Sequence, residues 1–139
     1  NKMEVILQLL IAFVTIGLAT GSHYFFLQRL RAWINNTRLS PFLTLLGVVY
    51  GITISQLTAA LWFAISFKVS ITLGLGGFDG EAVATFVDIF YFSLINLTTL
   101  GMAPIEPLRH LYLLAGIEAM TGFLLVSCSA SLIFKTMNK

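Results

Sequence analysis

Charge is scarce in this chain. Of 139 residues only 10% are Asp, Glu, Lys or Arg, while 58% are hydrophobic and the mean hydropathy is +0.92. A domain of this size has no interior large enough to hide so much apolar surface, which excludes a water-soluble globular fold. Cysteine is scarcer still. The single Cys128 leaves no disulfide framework and no clustered thiolate ligands. No Ser/His/Asp set, Gly-rich phosphate loop or HExxH pattern occurs, so nothing points to an enzyme. No internal repeat occurs either, and any symmetric assembly has to be built from copies of the chain.

What is abundant is apolar sequence in long runs. Residues 5–27, 41–67 and 108–134 are each long enough to cross a hydrocarbon layer of roughly 30 Å as a helix, with Glu118 the one acid inside them. The first run is too long for a secretory signal, and no small-residue cleavage pattern precedes Arg29 and Arg31, so it reads as a retained span. Arg29, Arg31, Arg38, Lys135 and Lys139 fall on one side of these spans with no acid beside them. Glu4, Asp79, Glu81, Asp88 and Glu106 outnumber Lys2, Lys68 and Arg109 on the other. Because short cytoplasmic segments collect bases, the N-terminus is expected outside and the C-terminus inside. The basic face reads as a topology determinant that touches anionic membrane lipid, not as a nucleic-acid surface.

Residues 68–107 are too apolar for a solvated loop and too interrupted for a fourth span. Gly74, Gly76, Gly77, Asp79 and Gly80 form a turn-rich opening expected to run along the outer surface. Asp79 is the expected N-cap of a helix over residues 81–98, with Glu81 in its first turn. Acids in its first third keep that end out of full membrane depth. Gly101, Ala103, Pro104 and Pro107 then end the helix and turn the chain back. Re-entrant backbone is tolerated inside a membrane only where protein or a water-filled cavity satisfies its polar groups, so the pattern implies a hole.

Residues 91–107, Tyr-Phe-Ser-Leu-Ile-Asn-Leu-Thr-Thr-Leu-Gly-Met-Ala-Pro-Ile-Glu-Pro, resemble the pore helix and filter of the tetrameric potassium-channel superfamily, in particular the small bacterial two-transmembrane pore modules. The family pattern is Thr-Thr-Val-Gly-Tyr-Gly-Asp. Thr98, Thr99, Leu100 and Gly101 match its first four positions, while Met102, Ala103 and Pro104 replace the last three. The resemblance covers about residues 45–135. It implies an all-α integral membrane homotetramer in the cell membrane, as for bacterial inner-membrane proteins, in which residues 1–40 add a further span and a cytoplasmic linker to a pore module of residues 41–139. That module comprises an outer helix 41–67, a pore helix 81–98, a filter 98–104 and an inner helix 108–135.

By the same resemblance, oxygens of Thr99, Leu100, Gly101 and Met102 would line the path of a monovalent cation, K or Na, with no resident cofactor. Thr98, Asn96 and Glu118 would support the filter from behind, Glu106 would lie at the pore mouth, and Gly122 is a candidate hinge. The altered half argues for poor discrimination. Ala103 is costly where the family's second glycine turns a carbonyl inward, and Pro104 restricts it further. Met102 lacks the tyrosine hydroxyl that braces the family's strand. The expectation is a cation channel of weak K/Na selectivity, similar in this respect to cyclic-nucleotide-gated channels. Two other readings stand beside it: a non-conducting structural subunit, and a divalent-permeable pore lined by Glu106 and Glu118.

Single residues have plainer roles. An unpaired carboxylate at membrane depth is expensive, so Glu118 is expected to hydrogen-bond the loop backbone or Asn96. Ser127 is the serine of the third span expected to face water. Trp33, with Tyr24, Phe25 and Phe26, reads as a membrane-interface belt. His23 and His110 are not read as proton sensors.

Overall fold

A computed structural model describes residues 2–79, 85–98 and 105–138. Three helices dominate them: α1 Lys2–Asn36, α2 Pro41–Thr72 and α4 Leu111–Met137. All three are long and apolar enough to cross a membrane. At ~1.5 Å per residue even the 27 residues of α4 reach about 40 Å. A shorter apolar helix, α3 Phe86–Leu97, has 12 residues and measures only about 18 Å, too little to cross.

Lipid is as apolar as leucine, so burial alone gives these helices little reason to prefer one another; hydrogen bonds and close packing decide the arrangement. Buried polar rungs join α1 to α2: Gln8 Nε2 donates to Ser70 Oγ at 3.1 Å, the hydroxyls of Thr15 and Ser66 meet, and His23 Nδ1 lies 2.6 Å from Ser55 Oγ. Their order makes the two helices antiparallel. His23 also reaches α4, its Nε2 standing 3.0 Å from Ser129 Oγ, so one imidazole that is 2% exposed ties three helices together. Lower on α2, Gly47 and Gly51 form a notch. A Cβ on Gly47 would lie 2.5 Å from the Trp33 ring, and one on Gly51 2.5 Å from Leu30. Trp33 is therefore packed against α2, half-buried, whereas Tyr24 and Phe25 are exposed.

Element ends follow local chemistry. Ser40 caps α2, accepting from the Leu43 N–H, with Pro41 in the first turn. The helix runs through Lys68 to Thr72, five residues past the expected end, because nothing before Gly74 breaks it. Gly74, at φ +78°, closes it: its N–H bonds the Ile71 carbonyl and the Leu75 N–H bonds that of Ser70. Both lie at 3.0 Å, and Leu75 turns inward to 1% exposure.

The fold is not purely helical. The glycine-rich opening forms a strand, β1 Gly76–Asp79, which pairs antiparallel with β2 Glu106–Arg109, Gly76 opposite Arg109 and Asp79 opposite Glu106. Phe78 carries this ribbon onto the core, its ring 5.4 Å from that of Phe67 and 5.0 Å from that of Phe92. The ribbon also displaces the start of α4, expected at residue 108, to Leu111. At the end of β2 Arg109 takes the left-handed φ of 56°. Its guanidinium reaches the Gly74 carbonyl and Glu4 Oε2 at 3.3 and 3.1 Å, and His110 Nε2 lies 3.0 Å from the same carboxylate oxygen. The N-terminus of α1 is thereby tied to the ribbon corner.

The helix expected over residues 81–98 begins later. Thr85 is extended, with ψ 169°, and caps α3 in a reciprocal box: its hydroxyl accepts from the Asp88 N–H, and Asp88 Oδ2 accepts from the Thr85 N–H. Asp79, the expected cap, ends β1 instead, and Glu81 lies outside the described residues.

Candidate functional site

The polar groups that matter lie where α3 meets α2 and α4. Glu118, on the buried face of α4, is fully enclosed, at 0% exposure. An isolated carboxyl there would be untenable, and it is not isolated. Asn96 Nδ2 has two hydrogens and two acceptors in reach, the Ala115 carbonyl at 2.8 Å and Glu118 Oε1 at 2.9 Å. Ser93, one turn earlier on the same face of α3, hydrogen-bonds Glu118 Oε2 and also lies 2.7 Å from the Ala60 carbonyl of α2. Four polar contacts thus fasten one short helix to both of its long neighbours.

Close packing completes the attachment. Gly122 sits one turn below Glu118, and a Cβ there would fall 1.8 Å from the Leu97 carbonyl oxygen and 2.7 Å from its carbon. The last residue of α3 therefore rests on the bare backbone of α4. Ile89, Phe92 and Leu97 fill the remaining interface and join Phe63, Phe67, Leu114 and Leu125 in the main core.

Thr98 follows as the C-cap of α3, exposed, its hydroxyl donating to the Ile95 carbonyl at 2.8 Å. Thr99, Leu100, Gly101 and Met102, the expected ion-binding residues, lie outside the described residues. The chain reappears at Ile105, buried, and runs into β2. Glu106 is exposed on that strand, directly opposite Asp79. Like charges in that register repel, so this end of the ribbon is electronegative. Beside it a cleft of about 410 Å³ opens between α3, β2 and α4, lined by Phe92, Asn96, Ile105, Glu106 and Tyr112 among others.

Ser127 and Cys128 are exposed on the open face of α4, whereas Ser129 points inward to His23. Sequence reasoning singled out Asn96 and Glu118 but missed Ser93. The spacing that would have revealed it is Ser93-x-x-Asn96, two polar residues three apart on one face of an apolar helix. It missed Thr85 too, although Thr85-x-x-Asp88 is a capping-box pattern.

The geometry is that of a short helix fastened between two spans, with Thr98 at its C-terminal end. Among the described residues no group of His, Cys, Asp and Glu is placed to hold a metal. No curated protein and no solved structure gives a significant match to the chain. The family described as Ion channel matches residues 39–139, a stretch that contains α2, the ribbon, α3 and α4 and leaves α1 outside. That family comprises passive conductors of ions in membranes and not enzymes. With three apolar helices long enough to span, the chain is a multi-pass membrane protein and belongs to the Ion channel family.

Proposed function

We propose that the chain is one subunit of a homotetrameric pore that conducts monovalent cations passively, with weak preference between K and Na. The observation that carries this reading is the seating of α3. Its 12 apolar residues are too short to cross a membrane, yet they are locked between two spans by the Ser93–Glu118–Asn96 network and the Gly122 notch, with the C-terminus leading into Thr99. On this reading α3 is the pore helix. The partial negative charge of its C-terminal end favours a cation in front of it.

Backbone oxygens of Thr99, Leu100, Gly101 and Met102 from four chains would replace the hydration shell of the ion there. Thr98, Asn96 and Glu118 hold the approach to that segment. The Asp79–Glu106 end of the ribbon raises cation concentration at the entrance. No resident cofactor is involved. On this reading the pore mouth faces outward and the C-terminus lies on the cytoplasmic side of a bacterial inner membrane; the distribution of bases supports that orientation. Weak selectivity follows from Met102, Ala103 and Pro104, which supply neither a bracing hydroxyl nor glycine's conformational freedom.

The test is flux of K and Na into liposomes carrying the purified protein. Measurable flux of both ions, with K preference rising when Met102-Ala103-Pro104 is replaced by Tyr-Gly-Asp, is the expected result. A protein that is folded and tetrameric but silent would favour a structural subunit. Unchanged selectivity in the replaced segment would end the filter argument.

A further inference from the structure

At the end of the bundle opposite the ribbon, the last turns of α1 and α4 diverge and leave a cleft of about 530 Å³. Its walls change character with depth. Ile34 and Leu132 are buried at the base, and Phe134, 70% exposed, forms an apolar lip. Around the rim stand Arg31 and Asn35 from α1 and Lys135 from α4. The neighbouring Arg29 is already engaged, its guanidinium 5.1 Å from the centre of the Phe25 ring. Arg31 and Lys135 have no carboxylate against them: among the described residues the acids are Glu4, Asp79, Asp88, Glu106 and Glu118, all in the ribbon half or at the α3 contact. The C-terminal carbonyls of α4, which would otherwise repel an anion, are partly covered, the Phe134 carbonyl accepting from both the backbone and the side-chain N–H of Asn138.

Two cations with no carboxylate against them among the described residues, and an amide, set around the mouth of an apolar cleft at the polar end of two membrane helices, match one ligand chemistry: a phosphodiester attached to hydrocarbon. A volume of this size takes a headgroup and the first carbons of its chains. We infer that the cleft between the ends of α1 and α4 is a binding site for an anionic phospholipid, with Arg31 and Lys135 on the phosphate and Phe134 against the acyl chains. Charge on this face attracts anionic lipid in general; the cleft gives that attraction a fixed address, shared between the α4 span and a helix outside the matched family region. The site does not depend on the pore conducting.

The full chain in detergent, titrated with phosphatidylglycerol, phosphatidylcholine or glycerol phosphate and followed by native mass spectrometry, tests this. Phosphatidylglycerol should bind at least about tenfold tighter than phosphatidylcholine, and glycerol phosphate should fail to displace it. At about a factor of five per base near a headgroup, the pair R31Q/K135Q should weaken binding roughly thirty-fold. The pair R29Q/R38Q removes equal charge from the same face outside the cleft and should cost clearly less than the cleft pair. Equal losses in the two pairs would reduce the effect to general surface potential and overturn the site. Equal binding of the two lipids would overturn it as well, and displacement by glycerol phosphate would assign the cleft to a soluble anion instead. All four substituted residues are exposed, and unchanged thermal unfolding of both pairs is the control for folding.

Discussion

Gly122→Ala is the smallest change that tests how α3 is held. The added methyl would meet Leu97 backbone atoms at 1.8, 2.7 and 3.0 Å, and none of these can rotate away as a side-chain tip could. Restoring ordinary contact requires the Leu97 carbonyl to retreat by roughly 1.5 Å, since carbon and oxygen settle near 3.4 Å or beyond. Replacing glycine by alanine within a helix returns up to about 1 kcal/mol of backbone preference. Overpacking at a closed contact costs about 1–3 kcal/mol, so the net expectation is destabilisation on the order of 1–2 kcal/mol.

The displacement matters more than the energy. Leu97 lies two residues before Thr99, so the start of the proposed ion path moves with it. Thermal unfolding in detergent and cation flux in liposomes, measured on the same preparation, should both fall. Gly17→Ala is the control, because a Cβ there meets nothing within 4 Å, and it should leave both unchanged or slightly raise stability. A Gly122→Ala protein as stable as the parent, with full flux, would refute the claim that α3 rests on α4 at this point. It would return Gly122 to the role of a hinge whose bulk is immaterial.

Two further substitutions address the other supports of α3. Glu118→Gln keeps an acceptor for Asn96 and gains a donor for Ser93, so its stability should stay within about 1 kcal/mol of the parent, whereas Glu118→Ala leaves one Asn96 N–H without an acceptor and opens a cavity, and should cost about 2–3 kcal/mol in the same unfolding assay. If the two variants are equally destabilised, the hydrogen bonds are not what the carboxyl contributes. Thr85→Ala removes the reciprocal cap of α3 and should lose about 1 kcal/mol, with Thr85→Ser recovering most of it; equal stability of both would mean that the box is dispensable.

Much of this molecule is written locally. Apolar runs of spanning length, too few charges for a soluble core, and bases gathered on one side are properties of composition and order along the chain, so membrane class and three long helices could be read without coordinates. The pairing of Asn96 with Glu118 was also foreseeable, because a carboxyl at membrane depth must find a donor and few were available.

The ends of elements were less legible. Lys68 looked like the edge of a loop, yet one cation at a helix end does not break a helix, and α2 stopped only at the left-handed Gly74. Asp79 and Thr85 are both good caps in isolation. Thr85 has Asp88 three residues on to complete the box, while Asp79 is taken up as the last residue of β1.

What only the tertiary structure decided are the contacts between residues far apart in sequence: the β1–β2 ribbon, His23 bridging Ser55 and Ser129, Trp33 seated on Gly47, and the pairing of Arg31 with Lys135 around one cleft. In an apolar chain the hydrophobic pattern is nearly uniform around each helix and carries little information about which face meets which neighbour. That choice falls to a few hydrogen bonds and glycine notches, whose partners become visible only when the helices are laid side by side.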